Sequence, residues 1–313
     1  GLLYRQKIRQ THCSRSAARS STITQTTMRR VLVTGGNGQL GEAIRRAAEG
    51  STYHYLFATV DELDICKQAD VEHYVTENNI DTIINCAAYT DVEGAEDNIN
   101  MAYAINSTAV VHIAEVCKRL NVRLIHISTD YVFGGDTERR TPYTESDATA
   151  PLNIYGKSKA EGEVAVVEHD GIIIRTSWLY APWGKNFVLT MLRLGREHAQ
   201  ISVVDDQRGT PTSALGLSRA IITIVESGAL ETMHGIYHYT DGGECTWCDF
   251  AREIMAQADL ECHVVACTTA ERNMRAQRPA YSVLNTERIA AIKGIEIAPW
   301  QERLSEVISL IKK

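Results

Sequence analysis

The chain has no run of about 18 consecutive apolar residues, the length a helix needs to cross a bilayer, and no short apolar segment of the secretory kind. Neither a membrane span nor export is expected. An excess of basic residues is also missing. The net charge is −7 over 313 residues, which weighs against nucleic acid as a partner but not against a nucleotide, which backbone amides bind locally. After Thr27 there is no low-complexity tract and no internal repeat, so solenoid architectures drop out. The eight cysteines are scattered rather than clustered, the pattern of reduced thiols in a cytoplasmic protein. Cys245 and Cys248, followed by Cys262 and Cys267, could in principle supply four zinc ligands. No turn-forming Gly or Pro lies near the second pair. The segment reads instead as a helix start, with Thr246 as its N-cap and Trp247, Phe250 and Ile254 facing a core. No metal site is expected.

What is present begins with an odd leader. Residues 1–27 hold five Arg or Lys, no Asp or Glu and many Ser and Thr, a composition that buries too little surface to offset its ordering entropy. We read it as a disordered upstream remnant rather than a targeting peptide. The whole chain is 44% hydrophobic and 23% charged, enough for a sizeable core, and its length suits one large domain plus a smaller one. From Arg30 onward strand and helix patterns alternate. Strands are expected at Arg30–Thr34, Tyr55–Val60, Thr82–Ala88, Arg123–Ser128 and Gly171–Thr176. Helices are expected at Gln39–Glu49, Ala69–Asn78, Asn98–Leu120 as one long helix, and Tyr155–Glu168. Apolar strands between helices indicate an α/β fold of Rossmann type: a doubly wound parallel sheet covered on both faces.

Three constellations carry chemistry. Gly35-Gly36-Asn37-Gly38-Gln39-Leu40-Gly41 sits between the first strand and the first helix. Glycines there permit a tight turn, close approach of a pyrophosphate and close helix–strand packing, and the helix N-terminus offers free N–H groups to phosphates. This assigns residues 28–176 to a dinucleotide-binding domain that 213–240 is expected to rejoin, and 177–313 mainly to a substrate domain. An acid ending the second strand would favour NAD. Thr59 is placed there, with no Arg obviously near, so the cofactor stays open on these residues. Tyr155 and Lys159 stand at i and i+4, on one helix face. A lysine beside a tyrosine favours the phenolate, fitting Tyr155 to donate a proton to a carbonyl as hydride arrives. Thr129 follows a strand, where ligands bind in parallel sheets, with Ser128 turned away by alternation. Asn85-Cys86-Ala87-Ala88 could let a flat ring lie on the backbone, or could be ordinary tight packing.

With these motifs in place the chain resembles the dTDP-4-dehydrorhamnose reductases, a family of extended short-chain dehydrogenases/reductases. The resemblance rests on Gly38–Gly41, Asp64-Ile65, Asn85–Thr90, Ser128–Phe133, Pro151–Lys157, Arg175–Tyr180, Asp206–Thr212 and Arg278-Pro279. It implies reduction of the C4 ketone of dTDP-4-dehydro-L-rhamnose. It implies Gly38, Gln39, Leu40, Asp64, Ile65, Ala87, Ala88, Tyr89, Tyr155 and Lys159 around NADPH, with NADH an alternative. Around the sugar nucleotide it implies Thr129, Asp130, Trp178, Thr90 and Val92. It further implies a homodimer. Some members use Mg²⁺, but this chain has Ala43 where a carboxylate is expected. Alternatives are another nucleotide-sugar reductase or epimerase, and a non-catalytic cofactor-binding subunit like that of methionine adenosyltransferase.

Overall fold

The computed structural model describes residues 28–312; the expected leader lies outside the described residues. The first half builds strands β1 (Arg30–Thr34), β2 (His54–Ala58), β3 (Thr82–Asn85), β4 (Arg123–Thr129) and β5 (Ile172–Thr176). Between them run helices α1 (Gln39–Ala47), α2 (Gln68–Glu77), α3 (Val92–Asp97), α4 (Ile99–Tyr103), α5 (Ala109–Leu120) and α6 (Ile154–Glu168). The second half adds β6 (Leu179–Tyr180), α7 (Phe187–Glu197), β7 (Gln200–Val204), β8 (Arg208–Gly209), β9 (Thr212–Ser213) and α8 (Ala214–Glu226). It continues with β10 (Gly235–His238), β11 (Cys245–Thr246), α9 (Trp247–Gln257), β12 (His263–Cys267), α10 (Thr269–Arg272), α11 (Glu287–Ala290) and α12 (Trp300–Ile311). Among the described residues no helix is long and apolar enough to cross a membrane.

The main sheet has the order β10-β5-β4-β3-β1-β2, with every pair parallel. Its inner strands β1, β3, β4 and β5 are rich in β-branched residues and largely buried on both faces, and the two faces follow the period of two. Val31, Val33, Ile84, Ile125, Ile172 and Ile174 pack with Leu217, Ile221 and Ile224 of α8 on one side. Leu32, Ile83, Leu124 and Ile173 pack with Val71, Ile113 and Val166 on the other. A second core gathers α7, α9 and α12 around Tyr180, Phe250, Trp300 and Leu304, and Ala43 of α1 reaches into it. Thr246 caps α9 in a reciprocal box with Asp249, as expected, and Phe250 and Ile254 are buried beneath it.

One expectation fails. Asn98–Leu120 is not a continuous helix: α4 passes through a π-type turn at Ala104–Thr108 before α5. The extra residue in such a turn re-aims a side chain, here Asn106. Its amide donates to Tyr89 O at 3.0 Å and to Ser158 Oγ at 3.1 Å, and its oxygen accepts from Tyr89 N at 2.8 Å.

Helix α6 lies unusually close to its neighbours. A Cβ on Gly156 would collide with Tyr131 O, and one on Gly162 with Asn106 O. Tyr155, Lys159 and Glu163 follow at i, i+4 and i+8, so one stripe faces the sheet. Lys159 is 2% exposed. Glu163 accepts from Arg175 Nε at 2.8 Å and Nη2 at 2.6 Å, an ion pair buried on both sides. Removing one member of such a pair strands the other charge, at a cost of about 3–5 kcal/mol. Glu163→Ala is therefore expected to lower stability by about that amount in a denaturant titration. A loss below about 1 kcal/mol would mean that water reaches Arg175 and that the pair does not fix α6.

Candidate active site

A cleft of about 1470 Å³ opens at the carboxyl ends of the sheet strands, between the sheet and the second core. Its first wall is the glycine loop. Gly35 has φ +63°, and a Cβ there would meet Ala87 N at 2.9 Å. A Cβ on Gly41 would meet Gly35 O and Gly36. These two glycines serve close packing. Gly38 differs: it is the N-cap of α1, offers no side-chain cap, and a Cβ on it would touch only Gly35 O, at 3.2 Å. The first N–H groups of α1 have no partner within the helix and border the cleft at Gln39, Leu40 and Gly41. A backbone cradle at a helix N-terminus fits a pyrophosphate.

The structure brings Gly35, Gly38, Gln39, Leu40, Gly41, Asp64, Ile65, Ala87, Ala88, Thr90, Val92, Thr129, Asp130, Tyr155, Lys159 and Trp178 to this one cleft. Tyr89 follows Ala88 with its backbone held by Asn106, and its hydroxyl accepts from Asn98 Nδ2 at 3.4 Å. At the outer rim Thr59 follows β2, with its N–H and hydroxyl donating to Glu62 at 2.9 and 3.1 Å. Arg45 lines the same rim, its guanidinium 4.1 Å from the Phe57 ring centroid. The sequence reading missed Arg45 because it comes from α1 rather than from β2. Ala43 is buried among apolar side chains and offers no ligand to a metal, so the expected metal position does not fit.

Tyr155 stands on the cleft wall, half-buried. Burial, the largest cause, pushes its phenol up to about 12; the hydrogen bond with Thr129 opposes this, and the Asp130 charge adds to it. This departs from the expectation that Lys159 would lower it. Lys159 Nζ is drawn below the floor, donating to Ile127 O at 2.6 Å and lying 3.3 Å from His126 Nε2. Thr129 Oγ1 donates to Asp130 Oδ1 at 3.1 Å and accepts from Tyr131 N at 3.1 Å. Asp130 is 2% exposed, and its other oxygen accepts from Ser282 at 2.6 Å. Its two oxygens are thus already bonded within the protein, although it borders the cleft. Burial pushes Asp130 up to about 7 against the hydrogen bonds that lower it.

The opposite wall comes from the second half of the chain. Trp178 adopts φ +48°, a strained region for a bulky residue, at about 1–3 kcal/mol. Its ring stacks on Trp247 with centroids 3.6 Å apart. Gly209 leaves room for it, since a Cβ there would meet Trp178 Cε2 at 2.7 Å. Trp183 Nε1 donates to Gln39 O at 3.1 Å, and Asn186, the N-cap of α7, donates to Gln39 Oε1 at 2.9 Å. These bonds tie the far wall to the start of α1. Ser128 Oγ and Thr176 Oγ1 are buried with no hydrogen-bond partner among the described residues, and both residues border the cleft. Ser128, Thr176, Trp183 and Trp247 carried no distinguishing local signal; only the approach of the two cores gathers them.

The Asp130 shift has a consequence for stability. A carboxyl whose folded value is raised from 3.8 to about 7 holds its proton more tightly when folded. Its contribution is present below about pH 4 and is lost as pH rises toward 7. Asp130→Asn should therefore gain thermal stability relative to the parent chain as pH goes from 5 to 8. Parallel melting-temperature curves over that range would contradict the assignment.

Residues 28–312 match the family described as the RmlD substrate binding domain. A dTDP-4-dehydrorhamnose reductase of Aggregatibacter actinomycetemcomitans is 39% identical, over 90% of this chain and 98% of its own. A dTDP-4-keto-6-deoxy-D-glucose reductase of Streptomyces niveus is 36% identical, over 90% and 97%. Among solved structures, dTDP-4-dehydrorhamnose reductase of Bacillus anthracis in complex with NADP superimposes with a TM-score of 0.84 at 37% identity. It spans 91% of this chain and all of that one.

Proposed function

The chain belongs to the RmlD substrate-binding family, and on that premise we propose that it reduces the C4 ketone of dTDP-4-dehydro-L-rhamnose to dTDP-L-rhamnose with NADPH as reductant. The observation that carries this reading is the meeting of Tyr155, Thr129 and an uncapped helix N-terminus in one cleft. The named relatives reduce 4-keto dTDP sugars, and one relative was solved with NADP.

NADPH supplies the hydride when bound. The N–H groups of Gln39, Leu40 and Gly41 would hold its pyrophosphate, and Arg45, on the rim near Thr59, would pair with its 2′-phosphate. Lys159 has three donors. Two are directed at Ile127 O and His126, which leaves one for a ribose hydroxyl. Thr129 orients the ketone oxygen and Tyr155. Tyr155 then gives its proton to that oxygen as charge develops on it. A phenol held near 12 is a reluctant acid toward a neutral ketone but a competent one toward an alkoxide. The Trp178 face packs on the sugar nucleotide, and the unpartnered hydroxyls of Ser128 and Thr176 supply hydrogen bonds to bound ligand. No step requires a metal ion. The domain assignment is proposed in the same terms: residues 28–176 with 213–240 bind the dinucleotide, and the rest of 177–313 binds the sugar.

Tyr155→Phe keeps the ring and removes the proton. NADPH oxidation driven by the keto sugar should fall about 10²- to 10⁴-fold, while NADPH affinity measured without substrate stays near that of the parent. Near-normal turnover would remove Tyr155 from the role of acid. Trp178→Ala should lower kcat/KM for the keto sugar more than NADPH affinity. Equal losses for both ligands, with a lowered melting temperature, would make Trp178 a packing residue only.

A further inference from the structure

Beneath the cleft floor a chain of buried polar groups crosses three neighbouring strands and ends on the reactive helix. Thr34 on β1, Asn85 on β3 and His126 on β4 are register partners in turn. All three are nearly inaccessible, with His126 at 0%. Thr34 Oγ1 donates to Asn85 Oδ1 at 2.6 Å and accepts from Ala87 N at 3.3 Å. Asn85 Nδ2 lies 3.0 Å from His126 Nδ1, and His126 Nε2 lies 3.3 Å from Lys159 Nζ.

The direction of donation along this chain depends on the proton at Lys159. With Asn85 Nδ2 donating to His126 Nδ1, the imidazole turns its Nε2 hydrogen toward Lys159, an arrangement that suits a neutral amine. A half-turn of the Asn85 amide reverses the chain. His126 Nδ1 then donates to the amide oxygen and Nε2 accepts from an ammonium. Bonds to a charged donor are about twice as strong as neutral ones, so the imidazole favours the ammonium overall.

We propose that His126 is a positioning residue that accepts from the Lys159 ammonium through a chain reversible at Asn85, and so keeps Lys159 charged and in place for the reduction. This rests on the functional reading above, in which Lys159 serves the cofactor cleft. Ile127 O accepts from Lys159 at 2.6 Å, and the charges of Glu163 and Cys86 favour the ammonium, but among the described residues His126 is the one side chain within hydrogen-bond distance of Nζ, at 3.3 Å. On β3 the Cys86 thiol is pushed up to about 12 by burial. On α6 Glu163 is committed to Arg175 of β5, and Tyr155 is likewise held near 12. Burial, the largest cause, draws Lys159 itself down to about 8. Its charge is therefore at stake within the working pH range. His126 is held well below its usual value by burial and by Lys159, so it stays neutral and available as an acceptor.

The test compares the full chain with His126→Leu and His126→Gln. Keto-sugar-dependent NADPH oxidation and NADPH affinity without substrate are each followed from pH 6 to pH 10. With Leu the ammonium loses an acceptor, and its alkaline limb should move down by about one pH unit. The loss relative to the parent should then grow about tenfold between pH 6 and pH 9. Gln, whose amide can also present an oxygen, should restore the limb. A Leu variant that melts normally and keeps the parent's limb, or that loses activity equally at every pH, would overturn the proposal. A parent chain that reduces no keto sugar would refute the functional reading alone. The pH dependence of NADPH affinity would still decide the role of His126.

Discussion

Everything in the site depends on how closely α6 approaches the sheet. Two glycines remove the side chains that would hold it off Tyr131 and Asn106. The helix then carries a tyrosine, a lysine and a glutamate inward along one stripe. Three polar groups facing a sheet would be costly if left alone. Each is answered by a partner on the sheet: Thr129 of β4 for Tyr155, Ile127 O and His126 of the same strand for Lys159, and Arg175 of β5 for Glu163. The packing and the chemistry are the same contact seen from two sides.

The second constraint is the meeting of two cores. The sheet and its helices form one pair of apolar layers, and α7, α9 and α12 form another. The chain passes between them at Trp178, whose strained backbone is held by the stack on Trp247 and by the space at Gly209. It returns through α8 and β10 to complete the sheet. A cleft between independently packed cores can carry cofactor groups on one wall and sugar groups on the other. The bonds from Trp183 and Asn186 to Gln39 fix the distance between the walls.

Much of this was legible in the sequence where the chemistry is local. A glycine loop between a strand and a helix, and a tyrosine four residues before a lysine, keep their meaning whatever surrounds them. The parallel sheet was legible because buried strands such as Ile172–Thr176 are apolar without interruption. What escaped depends on distant partners. Asp130 looked free to meet a sugar, yet Ser282, 152 residues on, binds it. The π-type turn that directs Asn106 onto the Tyr89 backbone left no mark in the helical spacing of Asn98–Leu120. Arg45 reaches the rim through the turn of α1. His126 reads as one polar residue in an apolar strand, and its partners become apparent only when β1, β3 and α6 are side by side.

The central claim is that one cleft brings hydride and proton to the C4 ketone of a dTDP-linked sugar. It is tested most directly by following the hydride. The chain is incubated with NADPH deuterated at the transferring position and dTDP-4-dehydro-L-rhamnose, and the product is examined by mass spectrometry and proton NMR. The account predicts a dTDP-6-deoxyhexose carrying one deuterium, located at C4, with the L-rhamno configuration. A product without deuterium at C4, or no conversion while the cofactor binds normally, would contradict it.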